Sequence, residues 1–130
     1  MRVDHIGYAV KNIDKAKKSM EALGYTFKPT IEDTDRNIFI AFGSLDGYCI
    51  ELVAPFFGGG VSPIDSVLSK NGPTPYHICY ISDDIERDIE KLTASGFKVS
   101  LPLTPAIAFN NKRVAFLYAL SIGLIEIVET

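Results

Sequence analysis

The chain has 130 residues and a mass of 14.3 kDa, and its 13 Lys and Arg residues against 16 Asp and Glu residues give a net charge of −3. A composition that is 47% hydrophobic and 22% charged is typical of one globular domain and excludes a disordered chain. A negative charge without a Lys/Arg-rich run excludes broad nucleic-acid binding, because each neutralised phosphate needs a cation. The two cysteines form no CxxC pair, and no apolar stretch reaches the roughly 18 residues that cross a membrane. We therefore expect a soluble, cytoplasmic protein without a membrane partner.

Two stretches of the chain repeat each other without a gap. Residues 5–25 align with residues 77–97 at an offset of 77 − 5 = 72, which places His5 on His77. Several other positions are identical, such as Tyr8 and Tyr80, and some keep their chemistry without identity, such as Asp14 and Glu86. Self-similarity of this kind predicts two copies of one structural unit.

The first copy begins with a short β-rich run and continues with an amphipathic helix. Residues 3–10 predict a strand, and Asn12 is placed to cap a helix that Gly24 ends. The rest of this copy carries strand signals only, at residues 25–29, 37–42 and 48–54. The predicted order is β-α-β-β-β.

The second copy follows the same order. Residues 76–81 predict its first strand, and Asp83 with Glu86 three residues later is typical of the start of a helix, which Gly96 stops. Its later strands are expected at residues 97–101, 113–118 and 124–128.

A linker at about residues 56–75 joins the copies and contains a predicted short helix that begins at Ser62 and ends at Asn71. We therefore predict an α+β fold with two tandem βαβββ modules in one domain. The domain spans residues 1–130, with module 1 at about 1–55 and module 2 at about 76–130.

Both histidines of the chain occupy the same position of the repeat, in the first strand of each module. Glu51 and Glu126 are also matched, each a carboxylate among apolar residues of a last strand. A charge inside a sheet is costly unless it is paired or bound to a metal. We therefore predict one divalent metal, with Ni, Co, Zn, Mn and Fe(II) all compatible, on the ligands His5, Glu51, His77 and Glu126. The alternative is a pair of core histidines and a pair of edge carboxylates without a metal.

Several segments together resemble one known family over essentially the whole chain. They are DHIGYAV at the start, IELVAP, SPID, PYHICYISDDIE, and RVAFL followed by IEIVE at the end. They resemble the vicinal oxygen chelate superfamily, and within it the branch of methylmalonyl-CoA epimerase and glyoxalase I. The resemblance implies curved mixed sheets from the paired modules around a central metal cleft, and the same four ligands.

The ligand set indicates a reaction in which a metal-stabilised enolate forms next to a carbonyl and a carboxylate moves the proton. The resemblance implies that Glu126 can serve as a base. It also implies a second acidic residue about sixteen positions before the second ligand, which here is Asp35. The alternative for Asp35 is a solvated acidic loop.

Two positions favour an epimerase over a glutathione lyase. Glyoxalases that use glutathione carry an Arg and an Asn where this chain has Ala9 and Pro55, so a bidentate carboxylate donor is missing. We expect an acyl-CoA thioester or related carbonyl compound as substrate. Lactoylglutathione lyase activity is the first alternative, and a metal-free protein that only binds small molecules is the second. A symmetric homodimer is the default expectation.

Other residues have weaker signals. The glycines 58–60 are typical of a hinge or lid, since no strand-to-helix phosphate loop surrounds them. Three surface cations are candidates for binding the phosphates of CoA, and the alternative is that they are only solvated side chains: Lys70, Lys112 and Arg113. Cys49 and Cys79 are predicted to lie on the ligand face as small filler. The candidates for an apolar pocket wall are Phe56, Phe57 and Phe109.

Overall fold

The computed structural model describes residues 1–56 and 59–130. Within them the strands are β1 (Arg2–Ala9), β2 (Thr26–Phe27), β3 (Ile31–Asp33), β4 (Ile38–Leu45), β5 (Tyr48–Pro55), β6 (Thr74–Ser82), β7 (Lys98–Pro105), β8 (Arg113–Ala119) and β9 (Gly123–Glu129). The helices are α1 (Ile13–Leu23), α2 (Asp65–Asn71) and α3 (Ile85–Ala94), and Ile107–Phe109 form a 3₁₀ turn. The predicted α+β class is confirmed.

The chain divides into two compact units. The N-terminal unit is His5–Tyr76, and the C-terminal unit consists of Met1–Asp4 together with His77–Thr130. Each unit contains one amphipathic helix, α1 or α3, packed on a sheet.

The sheet of the N-terminal unit contains one parallel pair of strands and otherwise antiparallel pairs. β1 runs parallel to β5, β5 pairs antiparallel with β4, and β4 pairs antiparallel with both β2 and β3. Ile13 and Met20 of α1 pack against Ile50 and Leu52 of β5. Alternation along the strand therefore turns Glu51, between those two residues, to the face opposite the helix.

The chain that pairs with the outer side of β4 is divided into two short strands, β2 and β3. The predicted strand at 25–29 is only β2, and β3 at Ile31–Asp33 continues along the same neighbour, β4. Pro29 lies at the interruption, because proline has no N–H to donate to a ladder. The sequence did not predict β3, since its residues belong to an acidic stretch.

The C-terminal unit repeats this arrangement. β6 runs parallel to β9, β9 pairs antiparallel with β8, and β8 pairs antiparallel with β7. Ile85 and Leu92 of α3 pack against Ile125 and Ile127 of β9, so Glu126 faces away from the helix. The predicted order β-α-β-β-β is confirmed for this unit.

The ends of α1 are those predicted, whereas α3 begins one residue later than expected. Asn12 accepts a hydrogen bond from the N–H of Lys15, and Gly24 takes a left-handed conformation with φ 111°. The cap of α3 is Asp84, which accepts from the N–H of Arg87. The prediction of Asp83 as this cap is therefore wrong.

Asp83 is held instead by a cation outside the helix. Its carboxylate accepts hydrogen bonds from the guanidinium of Arg2, with Nη1 at 3.3 Å from Oδ2. At its other end the helix finishes at Ala94, just before Gly96.

The linker helix α2 begins three residues later than predicted. The Asp65 carboxylate accepts hydrogen bonds from the N–H of Ser62 at 2.8 Å and from its hydroxyl. This closes a turn over Pro63 and Ile64 before the helix starts. The predicted end at Asn71 is confirmed. In the described ranges, no helix has the length and apolar character needed to cross a membrane.

We expect Asn12→Ala to lower the free energy of unfolding by about 1 kcal/mol, because the N–H of Lys15 loses its acceptor. Urea denaturation followed by circular dichroism measures this. Ser19→Ala, at an exposed position in the same helix, is the control and should not destabilise the protein. Equal midpoints for Asn12→Ala and the unmodified protein would contradict the capping role.

Candidate functional site

The N-terminal unit brings His5 and Glu51 together on one face of its sheet. In the parallel register of β1 and β5, Gly7 lies opposite Glu51. His5 is two residues before Gly7 on β1. Nε2 of His5 is 3.5 Å from Oε1 of Glu51, and the two side chains are 0% and 6% exposed. The sequence predicted both residues, and the parallel pairing of β1 and β5 makes them neighbours.

The C-terminal unit brings His77 and Glu126 together in the same register. Cys79 lies opposite Glu126, and His77 is two residues before Cys79. Nε2 of His77 is 2.9 Å from Oε2 of Glu126, and these side chains are 0% and 4% exposed. The repeat therefore extends from the sequence to the strand register.

A phenylalanine accompanies each pair, and the sequence pattern did not predict either of these contacts. Phe42 of β4 lies opposite Glu51, and its ring meets the His5 imidazole edge-on at a centroid distance of 5.6 Å. Phe116 of β8 lies opposite Glu126, and its ring meets the His77 imidazole at 5.3 Å and 90°. The available signal was an aromatic residue at matched places, nine residues before one glutamate and ten before the other (51 − 42 = 9, 126 − 116 = 10).

The remaining neighbours on these faces are small or apolar. Gly7 and Val53 flank the first pair, and Cys79 and Val128 flank the second. Cys79 is fully buried, as expected for a filler residue. An apolar lining raises the cost of an uncompensated carboxylate and favours a bound cation or an ion pair.

The donor atoms of each pair fit a divalent metal. Two ligand atoms at about 2.1 Å from one ion lie about 3.0 Å apart in octahedral geometry and about 3.4 Å apart in tetrahedral geometry. The observed separations are 2.9 Å between His77 and Glu126 and 3.5 Å between His5 and Glu51. Imidazole nitrogen and carboxylate oxygen also suit the metals from Mn to Zn.

Asp35, the predicted second base, lies exposed in the turn 34–37 between β3 and β4. Its neighbour Asp33 is the buried carboxylate of this hairpin. Asp33 accepts hydrogen bonds from the N–H of Arg36 and from its guanidinium, both at 3.2 Å. These bonds shape the turn that carries Asp35.

Two further predictions fall partly outside the described residues, namely Phe57 as a pocket wall and Gly58 as part of a hinge. Phe56 packs edge-on against Phe39 at 4.6 Å between ring centroids. Gly59 and Gly60 have φ of 80° and 91°, values that favour glycine. Cys49, predicted on the ligand face, is half-buried near the start of β5.

Comparison with known proteins identifies the family. The sequence pattern of the Glyoxalase/Bleomycin resistance protein/Dioxygenase superfamily matches residues 4–116. An ethylmalonyl-CoA/methylmalonyl-CoA epimerase of Cereibacter sphaeroides is 30% identical over 119 residues, which cover 90% of this chain and 87% of that protein. The chain belongs to this superfamily.

Solved structures agree with this membership. The crystal structure of methylmalonyl-CoA epimerase from Mycobacterium tuberculosis has a TM-score of 0.82 and 26% identity, covering 98% of this chain and 87% of that one. A hypothetical protein from Bacillus halodurans C-125 has a TM-score of 0.85 and 26% identity, covering 99% and 94%. The resemblance to the superfamily and to its epimerase branch is confirmed, the fold is glyoxalase-like, and the comparisons indicate an enzyme.

Arg113, one of the three cations predicted as candidates for CoA phosphates, forms ion pairs with two carboxylates of the protein. Its guanidinium is 2.8 Å from Glu129 Oε2 and 2.8 Å from Glu86 Oε1. Hydrogen bonds from the Arg113 side chain and N–H lower the pKa of Glu129, and bonds to both carboxylates raise the pKa of Arg113. Hydrogen bonding at its own backbone N–H and to Arg113 lowers the pKa of Glu86. Arg113 therefore ties β8 to β9 and α3 and is not available to a ligand.

We expect Arg113→Gln to lower the melting temperature at pH 7. A carboxylate with a lowered folded-state pKa contributes stability above its unfolded value, 4.5 for Glu, and that stability is lost as the pH falls through the folded value. The difference between variant and unmodified protein should therefore shrink below about pH 4. Thermal denaturation across this pH range tests it. A difference that is constant with pH would contradict an ionic origin.

Proposed function

We propose that this protein is a metal-dependent enzyme that moves a proton at the carbon next to the carbonyl of an acyl-CoA thioester, as an epimerase does. The observation that carries the proposal is the pair of buried His–Glu sites, one in each unit and in the same strand register. The 30% identity to an ethylmalonyl-CoA/methylmalonyl-CoA epimerase supports the substrate class.

In this proposal the two pairs together bind one divalent metal, with the ligands His5, Glu51, His77 and Glu126. The chemistry of the donor set supports it, because two imidazoles and two carboxylates, all buried, are a common set for transition metals. Ni, Co, Zn, Mn and Fe(II) all suit these donors. A single ion would also offset the cost of burying two carboxylates in apolar surroundings.

When bound, the ion would stabilise the negative charge that develops on the carbonyl oxygen as the neighbouring proton leaves. Glu126 is the proposed base on one face of the substrate carbon, so a carboxylate oxygen of Glu126 accepts the proton from one stereoisomer and donates a proton when the other stereoisomer reacts in the reverse direction. Phe116 packs against His77 and fixes the imidazole beside this carboxylate. The apolar lining keeps water from the carbanion-like intermediate.

Inversion at carbon needs a proton carrier on each side of the planar enolate. Asp35 stays our prediction for the second carrier, and its place in the turn 34–37 makes it accessible to a substrate from solvent. A symmetric homodimer and a cytoplasmic location also stay predictions.

We expect the protein, purified without chelator, to carry one divalent metal per chain, measured by elemental analysis. Chelation should lower the melting temperature, and restored metal at about 100 times its Kd should recover about 2.7 kcal/mol of stability. Glu51→Gln and Glu126→Gln should weaken metal binding by about 100-fold or more.

Glu32→Gln, an exposed carboxylate on β3, is the matched control and should leave metal binding unchanged. A protein that contains no metal and does not respond to added metal would refute the metal site. Such a protein would favour a metal-free binding function.

We expect deuterium from solvent to enter methylmalonyl-CoA at the carbon between its two carbonyl groups when the enzyme is present. Glu126→Gln should slow this exchange by about 10²–10⁴-fold, the usual contribution of a positioned base. The methylglyoxal–glutathione hemithioacetal, assayed in parallel, is the comparison substrate. Activity on the hemithioacetal alone would replace the epimerase proposal with a lyase.

Asp35→Asn separates the two proton carriers within the same assay. If Asp35 is the second base, one stereoisomer should still exchange its proton, whereas inversion should stop. Asp46→Asn, in the turn between β4 and β5, is the matched control. Normal inversion by Asp35→Asn would show that Asp35 has no such role.

A further inference from the structure

The C-terminal unit contains a cavity of about 360 Å³ that the catalytic proposal does not use. Ile81 of β6 and Val128 of β9, which lie opposite each other in the register, contribute to its lining. The other lining side chains used below are those of Arg2, Asp4, Phe109, Lys112 and Glu129. A volume of this size lies at the lower end of small-molecule sites.

This cavity continues the sheet face that presents His77 and Glu126. Val128 is two residues beyond Glu126 on the same strand, which corresponds to about 7 Å. Ile81 is likewise two residues beyond Cys79, the residue opposite Glu126. A molecule that reacts beside Glu126 therefore has an adjoining space for its non-reacting part.

Ion pairs occupy two of the charged groups in this lining. Glu129 accepts hydrogen bonds from Arg113 at both carboxylate oxygens, at 2.7 and 2.9 Å. The guanidinium of Arg2 pairs with Asp83 at 3.3 Å. These contacts partly neutralise both groups.

Lys112 differs from them, because its ammonium group has no ion pair within residues 1–56 and 59–130. It lies close enough to Glu129 for its charge to contribute to the lowered pKa of that carboxylate. Asp4 is the other carboxylate of the lining, and it would repel an anion. Because Arg2 is paired with Asp83, Lys112 is the lining cation at which an anion would bind.

The backbone at Lys112 is held in place by a closed loop. Its carbonyl accepts a hydrogen bond from the N–H of Ala106 at 3.0 Å, and its N–H donates to the carbonyl of Phe109 at 3.1 Å. Asn110 and Asn111 take positive φ values of 55° and 64°, which reverse the chain between these bonds. The loop thus holds the backbone of Lys112 in place while its side chain contributes to the lining of the cavity.

We infer that this cavity binds an anionic group of the substrate, a carboxylate or a phosphate, with Lys112 as its counter-ion. The inference rests on the proposed function, since it takes the substrate to be an acyl thioester that reacts beside Glu126. A carboxylate would belong to the acyl group and a phosphate to coenzyme A. Both present the same chemistry to an ammonium group.

Calorimetric titration of the metal-loaded protein distinguishes the two sources. The probes are acetyl-CoA, which has phosphates but no acyl carboxylate, methylmalonyl-pantetheine, which has the carboxylate but no phosphate, and acetyl-pantetheine, which has neither. We expect Lys112→Ala to raise the Kd of one of the first two by about fivefold, the range of an exposed charge pair, and to leave acetyl-pantetheine unchanged. Lys112→Glu should raise the same Kd by about tenfold or more, and added salt should reduce the difference.

Lys91→Ala, an exposed lysine on α3, is the matched control and should not change any Kd. An effect of Lys112→Ala on acetyl-CoA alone assigns the phosphate, and an effect on methylmalonyl-pantetheine assigns the carboxylate. Equal affinities of Lys112→Ala and the unmodified protein for all three probes would overturn the inference, as would failure of the unmodified protein to bind any of them. If binding depends on Lys112 but the protein does not catalyse deuterium exchange into methylmalonyl-CoA, the proposed reaction is refuted and the assignment of the cavity is retained.

Discussion

The structure depends on the burial of a histidine and a glutamate side by side in an otherwise apolar sheet face. A carboxylate that leaves water costs several kcal/mol unless a cation or strong donors replace its hydration. In each unit the glutamate is next to an imidazole, and a phenylalanine ring from the neighbouring strand packs edge-on against that imidazole. The helix covers the opposite face, so alternation along β5 and β9 sends isoleucine and leucine to the helix and glutamate to the site.

The two units share one strand register, so the duplicated supersecondary structure presents a histidine beside a glutamate in each unit. In both, the residue two positions after the histidine stands opposite the glutamate, as Gly7 or as Cys79. The units differ in what lies further along the strands. In the C-terminal unit the strands continue into the cavity that Val128 and Lys112 help to line. In the proposed enzyme, the shared part of the repeat supplies the reaction centre, and the divergent part supplies substrate recognition.

Local signals predicted the elements well where one side chain decides a boundary. Asn12 and Gly24 set the ends of α1 because a side-chain acceptor and a left-handed residue act within one turn. The errors came where two neighbours compete. Asp83 and Asp84 can both cap a helix. Asp83 pairs with Arg2, 81 residues away, so Asp84 is the residue that caps α3. Asp65 similarly delays α2 by binding back to Ser62.

The sequence by itself determined the duplicated β-α-β-β-β order, apart from the additional strand β3 of the N-terminal unit. It also determined the four candidate ligands, because matched histidines and glutamates in apolar strands are costly without a purpose. It could not determine which side chains surround them. Phe42 and Phe116 join the histidines only through antiparallel pairing with β5 and β9, and Arg113 loses its availability only through contact with Glu86 and Glu129. Contacts between distant segments depend on strand register and on competition among partners, and only the tertiary structure decides both.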